Sequence, residues 1–163
     1  MSVYRTLAPW ADLFRSGNSV TSIFGVALGS ILASQGLPSG DFAIITALHC
    51  LSVMTFMFSW NALNDFMDIE IDRINRPDRP LPSGEISEVA ASRGILFTAV
   101  LSFSFLIVAA YVSHSGEIGL DGWLPSLVIW MLALLILFNY ESPSKLSFRM
   151  KDKGLPGNLA ISM

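Results

Sequence analysis

Charge is scarce in this sequence. Asp, Glu, Lys and Arg make up 14% of the 163 residues, while 52% are hydrophobic; a soluble domain usually carries roughly a quarter charged residues. Mean hydropathy is +0.56. The shortage argues against a soluble globule and for a multi-pass membrane protein. The net charge of −3 is mild and gives no reason to expect nucleic acid as a partner. Cysteine is nearly absent too. The single one, Cys50, excludes an intramolecular disulfide and a Cys-based zinc site, and its apolar surroundings point to packing. His49 has no second histidine nearby at ligand spacing, so it reads as a satisfied polar residue, and His114 reads as solvated. The first apolar run has no small-residue cleavage site, so it is expected to stay as a helix and not to leave as a signal peptide.

What the sequence has in abundance is long apolar stretches. The expected fold class is all-α, a multi-pass transmembrane bundle with four full spans and the start of a fifth, and residues 1–163 read as a single membrane domain. Residues 1–17 form an amphipathic lead-in carrying Trp10 and Phe14, suited to lying at the interface. The spans are expected at Asn18–Ser34, Phe42–Leu63, residues 88–112 and Trp123–Tyr140, near the roughly 20 residues a bilayer asks for. In the first, Thr21, Gly25, Gly29 and Ala33 recur every four residues, a stripe that would let another helix approach closely. In the third, Ala91, Gly94, Ala99 and Ser102 are expected to do the same, and Ser87 is the expected N-cap. A new apolar start follows at Leu155. The ten Lys and Arg fall in the N-terminal segment, in the region from Asn64 through Arg93, or in the 145–153 loop. The two intervening loops, residues 36–41 and 113–122, have none. This bias puts the N-terminus, the acidic motif loop and the basic loop on the cytoplasmic side of a cell membrane.

The remaining charge is concentrated in Asn64 to Gly84, NDFMDIEIDRINRPDRPLPSG. Asn64, Asp68 and Asp72 are spaced four apart, so on a helix their heads fall on one face, with Asp65 beside them. Like charges so placed repel, and a bridging cation would remove that cost. Oxygen-only ligands suit Mg²⁺, which binds through one or two carboxylates plus substrate phosphate oxygens. Pro77 disfavours helix at Arg76, so the acidic helix should end there and give way to a rigid segment set by Pro80, Pro82 and Gly84. Arg73, Arg76 and Arg79 offer planar forks that match phosphate oxygens. A solvated polar loop between two spans is the plainer reading. Metal-binding acids next to phosphate-binding arginines fit a diphosphate better.

The same stretch resembles the first aspartate-rich signature of the UbiA-type intramembrane prenyltransferases, NDxxDxxxDxxNxPxRPLPSG. The match comprises Asn64, Asp65, Asp68, Asp72, Asn75, Pro77, Arg79, Pro80, Leu81, Pro82, Ser83 and Gly84. The resemblance implies Mg²⁺-dependent transfer of a prenyl group from an isoprenyl diphosphate to a lipid or aromatic acceptor. Asn64, Asp65, Asp68 and Asp72 would be the metal set, with Asp68 and Asp72 most directly catalytic and Arg79 and Arg76 on the substrate. Tyr140, Lys145, Gly157 and Asn158 follow the order of a later family segment, which adds Lys145 and Tyr140 to the substrate-binding set. Arg15 to Asn18 is similar to an R-x-x-N start, which adds Asn18, whose plainer role is a helix cap. GLPGN at residues 154–158 is similar to the archaeal branch, so geranylgeranyl diphosphate as donor and geranylgeranylglyceryl phosphate as acceptor are expected, in ether-lipid synthesis. Quinone-precursor and chlorophyll-type acceptors share the signature and stay open. The resemblance covers only the first half of the family pattern. A second aspartate motif does not occur, so the chain alone is expected to be inactive or weak, with a C-terminal half as a missing partner, or to be a non-catalytic membrane fragment. Two rivals fit worse. No DG-x-x-A-R run precedes Asp68, as a phosphatidyl-alcohol transferase requires, and the hydropathy excludes a soluble isoprenyl diphosphate synthase.

Overall fold

An apolar stretch without water to satisfy its amides closes its hydrogen bonds within a helix. The structure is a computed structural model that describes residues 3–116 and 119–141. Those residues form α1 (Val3–Leu13), α2 (Ser16–Ser34), α3 (Gly40–Met67), α4 (Ile69–Asn75), α5 (Glu88–Ser115) and α6 (Gly119–Glu141), with no strand among them. Four of these helices, α2, α3, α5 and α6, are long and apolar enough to cross a membrane. That is the expected all-α, multi-pass arrangement. The fifth start at Leu155 lies outside the described residues. The chain divides into two compact units, residues 1–118 and 119–163. The first holds α1 to α5; α6 belongs to the second and is apolar from Gly119 to Tyr140.

Within the first unit, α3 and α5 carry the architecture. Each runs 28 residues, about 42 Å at the helical rise of ~1.5 Å per residue, against a hydrocarbon layer about 30 Å thick. Both helices therefore outrun the layer, and α3 delivers its last turns to the water boundary. α5 continues three residues past its expected end because no breaker intervenes before Gly116. Its start is as expected: the Ser87 hydroxyl accepts from the Ala90 N–H at 3.2 Å.

The α3–α5 contact is built from small polar and small apolar side chains. Ser52 Oγ donates to the Ser102 carbonyl at 2.9 Å and Ser102 Oγ donates to the Ser52 carbonyl at 2.8 Å. Seven residues further along α3 and seven earlier along α5, Ser59 Oγ donates to the Ile95 carbonyl at 3.1 Å. The pairing shows that the two helices run antiparallel. Such hydroxyls satisfy themselves inside apolar surroundings and draw backbones close, each contributing about 0.6 kcal/mol in membrane proteins.

α2 lies against α3, where the Cys50 thiol meets the Ile23 carbonyl at 3.7 Å. Cys50 is buried, in the packing role expected for it. The stripe of Thr21, Gly25, Gly29 and Ala33 is exposed, and among the described residues nothing lies within 4 Å of where a Cβ on Gly25 or Gly29 would stand. α2 meets α3 through a different face. Larger side chains such as Phe24, Leu28 and Leu32 on α2 and Leu96 and Phe97 on α5 are also exposed, as helices bathed in lipid require.

The core that matters for the polar site lies at the α3 C-terminal end. Leu13, Ala62, Leu81, Ile86 and Ala91 are buried together, with Trp10, Phe14 and Phe66 packed against them. Four segments thus converge: α1, the end of α3, the loop after α4, and the start of α5. The Trp10 ring rests so close to Gly94 that a Cβ there would come within 2.6 Å of Cζ3.

Candidate functional site

The site begins at the elbow between α1 and α2. Arg15 takes the left-handed conformation, φ 47° and ψ 52°, which costs a residue with a Cβ about 1–2 kcal/mol. Its surroundings hold it there. The fully buried Ser19 donates its hydroxyl to the Phe14 carbonyl at 3.0 Å. Asn61 on α3 donates to the same carbonyl at 3.1 Å and to Ser19 Oγ at 3.1 Å. The Phe14 ring stacks on Phe58 with centroids 5.3 Å apart. One helical turn beyond Asn61 stands Asp65, and Arg15 Nη2 donates to its Oδ1 at 2.5 Å.

The acidic stretch is not one unbroken helix. It divides at Asp68, whose φ of −91° and ψ of 6° lie in the sparsely populated bridge region. The hydrogen-bond ladder nonetheless continues: Asp68 N–H donates to the Asn64 carbonyl at 3.0 Å and Asp72 N–H to the Asp68 carbonyl at 2.8 Å. Asn64, Asp68 and Asp72 therefore remain on successive turns. α4 ends at Asn75 with Arg76 as its cap, the stop that Pro77 predicts.

Beyond Arg76 the chain folds into consecutive turns. Ser83 N–H donates to the Arg79 carbonyl at 2.9 Å, Gly84 N–H to Leu81 at 3.1 Å and Ile86 N–H to Pro80 at 3.0 Å. Gly84 has φ 79°, a conformation that suits a residue without a Cβ. Pro80, Leu81 and Ile86 are buried, so this segment is anchored in the core and Arg79 projects from a fixed base.

Arg79 ties the acids together. Its Nη1 donates to Asp65 Oδ1 at 3.1 Å and to Asp72 Oδ2 at 2.7 Å. Both carboxylates are nearly sealed from water, their side chains 8% and 9% exposed. A buried carboxylate is costly unless paired, and the guanidiniums of Arg15 and Arg79 supply that pairing. Arg73 bonds Glu70 and Glu88 at the surface, linking α4 to α5 and leaving the site to Arg15, Arg76 and Arg79. Those three line a pocket of 580 Å³, with Asp65, Asn75 and Pro80 also on its wall.

The structure brings together Asp65, Asp72, Arg76 and Arg79 of the expected site residues. Asn64 and Asp68 are half-buried at the α3–α4 junction. Asn18 is exposed and does not line the pocket. It is not the cap of α2 either, because the helix already begins at Ser16. Tyr140 stands in the last turn of α6, in the second unit. Lys145 lies outside the described residues, as do Gly157 and Asn158. Sequence reasoning missed Asn61 and Ser19, and it used Arg15 only as part of a start pattern. Asn61 stands four before Asp65, and that spacing was the available signal.

Among the described residues no group of three or more His, Cys, Asp or Glu side chains is gathered as a ready metal cage. Mg²⁺ does not require one. The carboxamide of Asn64 and the carboxylates of Asp68 and Asp72 are all oxygen donors, and this hard ion keeps several waters and takes the rest of its shell from one or two carboxylates and phosphate oxygens. The donor set fits it.

Four apolar helices, with oxygen donors and arginines gathered where α3 ends, define an all-α multi-pass membrane protein with a polar site at the end of α3. The profile of the UbiA prenyltransferase family matches residues 22–163, and the chain belongs to that family. It is similar to three archaeal proteins named digeranylgeranylglyceryl phosphate synthase. That of Methanobrevibacter smithii is 33% identical over 153 residues, covering 94% of this chain and 47% of the relative. That of Haloquadratum walsbyi is 38% identical over 149 residues, covering 90% and 43%. That of Thermococcus kodakarensis is 44% identical over 143 residues, covering 88% and 43%. The chain spans about half the length of the curated relatives it matches. No solved structure matches it.

Proposed function

We propose that this chain supplies the first acidic row of a site that transfers a prenyl group from an isoprenyl diphosphate to a lipid acceptor. The observation that carries the reading is the row of Asn64, Asp68 and Asp72 on successive turns, beside an arginine fixed in a turn anchored in the core. The name of the relatives gives the product as digeranylgeranylglyceryl phosphate, so the donor is geranylgeranyl diphosphate and the acceptor geranylgeranylglyceryl phosphate.

Asn64, Asp68 and Asp72 would hold Mg²⁺, which when bound neutralises the departing diphosphate as a Lewis acid. Arg79 and Arg76 donate N–H groups to diphosphate oxygens, and the sequence pattern alone adds Lys145, outside the described residues, as a further positive charge. Asn18 and Tyr140 join the substrate set on the sequence pattern alone. In the reaction the bond between the first prenyl carbon and the diphosphate oxygen breaks, and its electron pair leaves with the diphosphate. The acceptor hydroxyl oxygen forms the new bond to that carbon and gives up its proton. The apolar spans keep the hydrocarbon chains out of water. The N-terminus and the motif loop face the cytoplasm, as the distribution of Lys and Arg supports.

The test is an assay of the protein expressed from its native reading frame in membrane vesicles. With labelled geranylgeranyl diphosphate, inverted vesicles are expected to label geranylgeranylglyceryl phosphate and not an aromatic acid such as 4-hydroxybenzoate, and right-side-out vesicles to label neither. Transfer to the aromatic acid alone overturns the acceptor, and equal transfer in both vesicle orientations overturns the topology.

A further inference from the structure

Asp65 reads from sequence as a fourth oxygen of the metal row. Its surroundings give it another task. One carboxylate oxygen, Oδ1, receives both Arg15 Nη2 at 2.5 Å and Arg79 Nη1 at 3.1 Å, with the Asp65 side chain only 8% exposed. A divalent cation on Asp65 would stand beside two guanidiniums in poorly solvated surroundings, where like charges repel strongly, whereas Asp72, among the described residues, meets only one of them, through Oδ2 alone. Arg79 in turn spends only Nη1 on Asp65 and Asp72; its Nη2 and Nε have no partner among the described residues. The edge of the fork left over is the one that meets a phosphate bidentately. Arg15 is itself held in place, since the carbonyl ahead of it is pinned by Ser19 and Asn61.

We infer that Asp65 and Arg15 are a positioning pair: together they fix the Arg79 guanidinium so that its open edge faces the diphosphate, and Asp65 is not a metal ligand. The inference rests on the prenyl-diphosphate reading for the identity of the anion. Four segments meet in this chain of ion pairs, the α1–α2 elbow, α3, the loop and α4. The elbow is thereby a working part of the site, not merely a lead-in along the membrane surface.

The pair is tested by anion and metal binding, not by turnover. Asp65→Asn and Arg15→Gly are made singly and together in the full protein, with Asp68→Asn for comparison. Glycine at position 15 removes the guanidinium while suiting the left-handed backbone. Mn²⁺ bound to each purified protein is counted by electron paramagnetic resonance, and inorganic pyrophosphate affinity is measured by calorimetry at saturating Mn²⁺. Asp65→Asn is expected to leave Mn²⁺ affinity unchanged and to weaken pyrophosphate about tenfold, the scale of one charge-assisted hydrogen bond. The double variant is expected to be no weaker than Asp65→Asn alone, because the two residues act through one guanidinium. Asp68→Asn weakens Mn²⁺ itself. Loss of Mn²⁺ affinity in Asp65→Asn, multiplied losses in the double variant, or a native protein that binds no pyrophosphate would each overturn the assignment. Absence of prenyl transfer in the vesicle assay would remove the reaction and leave this result standing.

Discussion

Asp65 and Asp72 stand seven residues apart and meet the same guanidinium nitrogen. The four-residue spacing of Asn64, Asp68 and Asp72 was legible in the sequence, because it follows from helical geometry alone. The role of Asp65 was not. Which partner a carboxylate takes depends on the elbow at Arg15 and on a loop fourteen residues away, and no local pattern encodes either. Asn61 belongs to the same hidden class, a carboxamide whose two acceptors lie on another element. Asn61→Leu keeps the volume and removes both donations. It is expected to lower stability by about 1 kcal/mol, the net worth of such hydrogen bonds, seen as a lower melting temperature in detergent. An unchanged melting temperature would show that the elbow is held without it.

The helices themselves were largely readable. Long apolar runs, the Ser87 cap and the stop before Pro77 act locally, and each appears where the residues place it. Less readable was which face of each helix meets a neighbour. Among the described residues the glycine stripe of α2 is open, while a close approach occurs at Gly94, under the Trp10 ring. An interfacial tryptophan and a mid-helix glycine carry no mutual signal until α1 folds back over α5. The contact has a measurable consequence. Gly94→Ala places a methyl group where only 2.6 Å separates it from Trp10 Cζ3, so it is expected to destabilise by about 1–3 kcal/mol. Adding Trp10→Ala removes the obstruction, and the double variant should lose less than the sum of the single losses. Additive losses would mean that Trp10 yields freely and does not clamp the elbow to α5.

At the scale of the whole molecule, a short polar assembly is set on the ends of helices that are otherwise apolar. The Ser52–Ser102 pair and the Ser59 hydroxyl hold α3 to α5 over about two turns, and the apolar cluster around Leu13, Leu81 and Ile86 locks the loop down where α3 ends. Charge is scarce in a chain whose long helices expose mostly apolar side chains, and what charge there is gathers where α3 gives way to α4 and the loop beyond it, the place proposed to receive a diphosphate. The measurement that reaches this claim most directly is transfer of labelled geranylgeranyl to geranylgeranylglyceryl phosphate in vesicles, with and without Mg²⁺, in the native protein and in Asp68→Ala. Transfer is expected to require Mg²⁺ and to be abolished by Asp68→Ala, while the variant still inserts in the membrane in the same amount. Transfer that persists in Asp68→Ala, or that proceeds equally well without a divalent cation, would contradict it.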